Sequence, residues 1–261
     1  MAAPDDELAG TEQPFVAHLI ELRDRLIRAM VAVLVVGGLL FIWPGPAQLY
    51  DWLAAPLIAA LPEGTHLIAT SVISPFVVPL KILLLTAFLV SLPYVLYQAW
   101  AFVAPGLYSH EKRLVLPLVI SSTLLFFLGV AFCYFFVFGR VFHFIQSFAP
   151  KSVAAMPDIE AYLSFVMTMF LAFGAAFEVP VVVVVLARMG VVSVDKMREY
   201  RGYFVVVAFI VAAVITPPDV VSQLALAIPM CLLYEVGLWA ARIFIKKTQA
   251  PEEQTAAATR K

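Results

Sequence analysis

The sequence predicts an all-α polytopic membrane protein with six transmembrane helices, and three observations carry that prediction. Hydrophobic residues fill 63% of the 261 positions and charged residues only 13%, about half the charge of an ordinary soluble domain. Mean hydropathy is +0.96, so most of the surface must face lipid. The apolar residues gather into six stretches that approach the roughly 20 residues needed to cross ~30 Å of hydrocarbon. Net charge is -1, which excludes a broadly basic protein built to hold nucleic acid.

The chain opens with "MAAPDDELAGTEQP", which is acidic; residues 1–13 are expected to be a flexible N-terminus. No apolar core appears before about Ala29, so no cleavable signal peptide is expected and the first span should stay in place. In "PFVAHLIELRDRLIRAM" the residues Phe15, Leu19, Leu22 and Leu26 recur at i, i+4, i+7 and i+11. They form one apolar stripe of an amphipathic helix that leads into the first span, with Pro14 suited to its first turn. Glu21 and Arg25 are i,i+4 partners on its polar side, consistent with a helix laced by its own weak ion pairs at the membrane interface.

Spans follow at about 26–43, 77–102, 114–138, 161–187, 203–215 and 222–241, in one membrane domain over residues 14–245. The tail 246–261 reads as disordered. The fifth span is only 13 residues, and the polar cluster Thr216 to Gln223 bounds the sixth, so helices 5 and 6 are expected to be short and to thin the bilayer or draw polar groups inward. Fourteen of the 17 Lys and Arg residues fall in alternate connections on one side, leaving Lys81, Arg140 and Lys151 on the other. The positive-inside rule makes the basic side cytoplasmic and places both termini there.

Candidate chemistry rests on carboxylates. Metalloprotease, serine-hydrolase and phosphate-loop signatures are missing, and the histidines at 18, 66, 110 and 143 have no ligand spacing, so neither an enzyme nor a metal or cofactor site is expected. Cys133 and Cys231 lie in apolar runs and read as small buried hydrophobes. Glu111 follows the interfacial aromatics Tyr97, Trp100, Phe102 and Tyr108 and the Pro105-Gly106 break; by itself it is explained by neutralisation from Lys112 or Arg113. Glu178 is the one charge among the 27 residues between Glu160 and Arg188. Ten residues from Arg188, it sits about 15 Å inside the bilayer, where a charge costs at least ~3 kcal/mol. Gly174, Ala175 and Ala176 before it admit a close neighbour, and Pro180 after it permits a kink. Two accounts stay open: a protonated carboxyl that joins helices, or a group that serves a hydrated face. Asp219 can cap the sixth helix, and Glu235 can pair with a loop or tail cation.

Read in order, "HLIELRDRL", "SPF" at 74–76, "YQAWAFVAPGLYSHEKRL", "AYLSFVM", "AFGAAFEVPV" and "TPPDVVSQ" with "AIPM" resemble the pattern of the TatC family, the multi-spanning subunit of the twin-arginine protein translocase, over about residues 14–245. The resemblance implies a bent, concave helix bundle in the inner membrane of a bacterium. It implies that twin-arginine signal peptides of folded cargo are bound on the cytoplasmic face by Glu21 and Glu111, with Leu19, Arg23, Phe102, Pro105, Leu107 and Tyr108 around them. It also implies membrane-embedded or partner-docking roles for Glu178, Thr216, Asp219, Gln223 and Pro56, docking of single-span subunits of the TatA and TatB types, and self-association in a receptor complex. A proton-coupled secondary transporter using Glu178 is the alternative, although no inverted repeat is visible. An intramembrane protease would need a second catalytic group at mid-depth.

Overall fold

The computed structural model describes residues 6–58, 67–103, 115–147, 158–216 and 219–258. Among them, regular structure is helical: α1 (Asp6–Ile42), α2 (Pro46–Ile58), α3 (Ser74–Val103), α4 (Val115–Phe132), α5 (Phe138–Ser147), α6 (Ile159–Ala176), α7 (Val179–Arg188), α8 (Val194–Glu199), α9 (Arg201–Ile215) and α10 (Val220–Ala258). Five stretches are long and apolar enough to cross a membrane: Val16–Ile42, Ser74–Val103, Val115–Phe144, Ile159–Arg188 and Val220–Ile243. The shorter apolar helix Arg201–Ile215 supplies a sixth. This is a multi-pass helical membrane protein.

The spans differ from the expected ones for local reasons. α1 starts at Asp6, so Pro14 lies inside the helix and does not open it. α10 runs on to Ala258, because "IKKTQAPEEQTAAA" is rich in helix formers. Helical backbone therefore enters both stretches read as flexible ends. α9, 15 residues long, is short as expected, about 22 Å. The sixth span is not short, since its apolar part covers 24 residues. The third span carries one π-helical turn, Cys133–Val137, of the kind that bends a helix. The fourth breaks between Ala176 and Val179, where Pro180 takes up the first turn of α7. Pro fits there because those N–H groups have no intrahelical acceptor.

Aromatic and glycine packing holds the core together. Phe132 of α4 sits 6.0 Å from Phe173 and 5.7 Å from Phe177, and Phe138 sits 5.3 Å from Phe170, within the range of favourable ring pairs. Gly129 of α4 faces the Phe173 backbone so closely that a Cβ would stand 2.4 Å from the carbonyl oxygen. Gly174 receives the Phe126 ring in the same way. The small residue before Glu178 thus admits a ring, while the backbone-to-backbone approach occurs at Gly129.

At the end of the spans away from α8, a polar clasp joins two distant stretches. Ile68 bridges Asp158 in parallel fashion. The Asp158 carboxylate caps α6 by accepting from the Glu160 and Ala161 amides. Its other oxygen accepts from the Thr70 amide (3.0 Å) and hydroxyl (2.6 Å). These bonds, led by that of the Thr70 hydroxyl, hold its pKa down at about 2. Two residues on, Glu160 accepts from the Ser74 hydroxyl and the Lys81 ammonium, each at 2.7 Å.

Candidate functional site

The amphipathic start of α1 places Glu21 on its polar side, 34% exposed. Oε1 accepts from both Nε (2.9 Å) and Nη2 (2.7 Å) of Arg25, one turn on. Oε2 stands 3.8 Å from His18 Nδ1. The His18 ring in turn stacks on Phe102 at the end of α3, centroids 4.3 Å apart. Sequence spacing found Glu21 and Phe102 separately; His18 joins them, and it was passed over because a lone histidine has no ligand spacing. Leu19 is exposed on the same helix, and Arg23 turns outward to pair with Asp24 at 2.7 Å.

Pro105, Leu107, Tyr108 and Glu111 lie outside the described residues. The connection that contains them starts where α3 ends at Val103 and finishes where α4 begins at Val115. It therefore springs from the residue next to Phe102, on the side of the membrane where Glu21 stands.

Glu178 lies in the break between α6 and α7. Its amide donates to Ala175 O at 3.1 Å and its carbonyl accepts from Val182 at 3.0 Å. Both carboxyl oxygens are sealed from solvent, and neither makes a hydrogen bond of good geometry. The wholly buried Ser122 hydroxyl is close enough to act on it. Ser122 itself accepts from the Trp100 indole N–H at 2.8 Å, which leaves the serine proton free to turn toward the carboxyl. Ser122 was missed as a neighbour of Glu178, and Trp100 as the partner of Ser122. The signal available was the Ser121-Ser122 pair in an otherwise apolar span.

The other polar positions form a separate group at the turn from α9 to α10. Thr216, buried, bonds back to Ala212 O at 2.8 Å. Asp219 accepts from the Ser222 amide at 2.7 Å, the capping bond considered from sequence, and Gln223 donates to Phe209 O at 3.4 Å. Gly237 meets the backbone of Pro180, and Gln223 is 14 residues earlier on α10, about 21 Å along the axis. Glu178 and the turn thus sit at different depths and do not share one cluster. Pro56 falls in α2, a helix that hydropathy did not flag. Glu235 pairs with Arg201 at 2.6 Å. Among the described residues no group of His, Cys, Asp and Glu could hold a metal ion.

Comparison with known proteins accounts for this arrangement. The family model for TatC, Sec-independent protein translocase protein, matches residues 17–229. A TatC protein of Halothiobacillus neapolitanus is 51% identical over 89% of this chain, which spans 63% of that relative's length. TatC of Escherichia coli K12 is 48% identical, with 92% of this chain and 93% of the relative covered. A crystal structure described as the twin-arginine translocase receptor TatC superposes with a TM-score of 0.75 at 39% identity, covering 87% of this chain and 98% of that one. A family model spanning most of the six-span body, together with full-length relatives of nearly half identity, settles the matter: this chain belongs to the TatC family of Sec-independent protein translocases, a transport subunit rather than an enzyme.

Proposed function

We propose that this chain is the signal-peptide receptor of a twin-arginine export system in a bacterial inner membrane, with both termini in the cytoplasm. One observation carries the reading: an exposed carboxylate, Glu21, is tied through His18 to Phe102, at the root of the connection that contains Glu111. Two arginines of a signal peptide need two acceptors, and Glu21 and Glu111 supply them. A guanidinium takes a carboxylate with two parallel bonds that lysine's ammonium cannot reproduce. Arg25 converges two donors on the single oxygen Oε1 of Glu21 and leaves Oε2 without an arginine bond, so the incoming arginine uses the Oε2 side or displaces Arg25. Phe102, Pro105, Leu107 and Tyr108 line the approach.

The same reading makes the short α9 and the polar turn Thr216–Gln223 a docking sector for single-span partners of the TatA and TatB types. Glu178 then serves the inner, concave face of the bundle. The similar crystal structure is described as a twin-arginine translocase receptor, which supports the receptor reading. A labelled twin-arginine peptide should crosslink to the purified chain and a twin-lysine peptide should not. Labelling by neither peptide would sink the receptor reading in favour of a carrier that ignores them, and equal labelling by both would sink recognition of the arginine pair. Reporter fusions after Ala60 and after Val153 should read as external, and a cytoplasmic signal at either breaks the orientation.

A further inference from the structure

Among the described residues, Glu178 is the one side chain with two buried oxygens that lack a hydrogen-bond partner. Packing shows what stands beside it. The buried face of α4 carries Val119, Ser122, Phe126 and Gly129, at the three- and four-residue spacing of a single helix stripe. Against it runs the next span, antiparallel: the Phe126 ring fills the space at Gly174, and Gly129 meets the Phe173 backbone and the Phe177 ring. Four residues back from Phe126 is Ser122 and four on from Gly174 is Glu178, so this register sets the serine level with the carboxyl. Its neighbour Ser121 bonds back to Leu118 O at 2.9 Å. Ser122 instead accepts the Trp100 indole N–H at 2.8 Å, which leaves its own proton for an acceptor, and the sealed carboxyl is at hand.

Trp100 ties this contact to the far side of α3. Two residues on is Phe102, about 200° around the helix, and its ring stacks on His18 of α1 at 4.3 Å. The last turn of α3 is therefore gripped from both sides, by α1 through Phe102 and by α4 through Trp100. A helical turn moves as a rigid unit, so a ligand that shifts Phe102 also draws the indole away from Ser122. We propose that Trp100 and Ser122 are positioning residues: the indole holds the serine, the serine holds the Glu178 carboxyl in its sealed place, and a peptide bound at Glu21 and Phe102 withdraws the indole and releases the carboxyl to the inner face of the bundle. Sealing then belongs to the resting state, which makes a buried carboxyl compatible with a part in transport. The release step rests on the receptor reading; the holding step does not.

The purified chain in detergent is treated with dicyclohexylcarbodiimide, an apolar reagent that adds to carboxyl groups, and labelling at Glu178 is followed by tandem mass spectrometry. The wild type should label slowly. S122A and W100F should each label about fivefold faster, the weight of one hydrogen bond, while S122T, which keeps the hydroxyl, should stay near the wild type. F126L loosens the same helix pair without touching either bond, and it should label at the wild-type rate even where its melting temperature falls as far. A twin-arginine peptide should speed labelling of the wild type and add nothing in W100F, though it crosslinks to both equally. Wild-type rates in S122A and W100F overturn the proposal, and so does fast labelling of F126L, which would make general loosening the cause. Labelling of the wild type that ignores a crosslinked peptide overturns the release step. A peptide that crosslinks to none of these proteins removes the receptor reading instead, and the comparison of S122A with S122T still decides whether the serine holds Glu178.

Discussion

Two spans of this molecule answer to different solvents. In α1 only 6% of the most apolar window is buried, whereas in the α6–α7 span 61% is. The glycines at their contacts differ accordingly: a Cβ on Gly38 of α1 would meet nothing within 4 Å, while one on Gly129 of α4, packed against α6, would strike the Phe173 backbone. Their carboxylates differ too. Glu21 is part-exposed, with Arg25 bonded to one oxygen and His18 3.8 Å from the other, and Glu178 is sealed without a good hydrogen bond. An exposed, exchangeable ion pair suits a group that must trade partners. A sealed acceptor in the most packed span is costly to stability, which is why the proposed reading gives Glu178 a part in transport.

The sharpest way to break this contrast is the glycine pair. Gly129→Ala should destabilise the protein by about 3 kcal/mol, at the upper end for overpacking a tight contact, and Gly38→Ala should be neutral or gain up to ~1 kcal/mol of helix propensity. Thermal unfolding in detergent reads both. Similar melting temperatures for the two variants would mean that α4 and α6 are not packed so tightly.

Next in size, Glu21→Ala should weaken twin-arginine peptide crosslinking ten- to a hundredfold, the loss of one charge-assisted bond worth ~1.5–3 kcal/mol. Its melting temperature should stay within about a degree, because an exposed i,i+4 pair contributes only about 0.5 kcal/mol. Glu111→Ala should match it in binding. Normal crosslinking by both variants would reduce the two glutamates to interfacial polar groups.

Glu178→Leu should leave the melting temperature level or raise it by the equivalent of ~1 kcal/mol, since a sealed acceptor is removed, while peptide still binds at Glu21 and transport falls. Lost peptide binding together with a drop of many degrees would instead make Glu178 a joint between helices.

The smallest effect concerns the Asp158 clasp. Its folded pKa, about 2 against an ordinary 3.8, means that its stabilisation is complete above about pH 4 and is lost as pH falls through 2. Asp158→Asn should flatten that part of the stability profile. An unchanged slope would place the acid sensitivity elsewhere.

Much of this contrast was legible in the sequence and some of it could not be. Hydropathy found the spans because twenty apolar residues in a row have few other uses. It passed over α2, whose 13 residues mix Asp51 and Gln48 with apolar neighbours and are too few to fill a spanning window. Pro180 signalled the kink, yet the break lies just before it, at Phe177 and Glu178, where proline's own preference for a first turn puts it. The sixth span reads as short only if Thr216 to Gln223 is taken for its start; α10 instead begins inside that cluster, at Val220. Burial was the least legible property, because α1 and α6 are similarly apolar and differ in what packs on them. The Thr70–Asp158 contact joins residues 88 positions apart, a separation at which local pattern carries no information. Glu21 and Glu178 were both visible as carboxylates in unlikely places, whereas His18, Trp100 and Ser122 are ordinary residues until folding brings them alongside.

The bond between Lys81 and Glu160 spans 79 residues, which gives the molecule a timetable. A ribosome adds about 5–20 residues per second, so Lys81 reaches the membrane several seconds before its partner has been made. During that wait the Lys81 ammonium lacks the carboxylate that holds it in the folded protein. Glu160 lies at the start of the fourth span, so its synthesis completes the pair just as that span begins to be made. The clasp can therefore close only after roughly three fifths of the chain has been synthesised, later than the packing of α1 and α2 on α3 could begin.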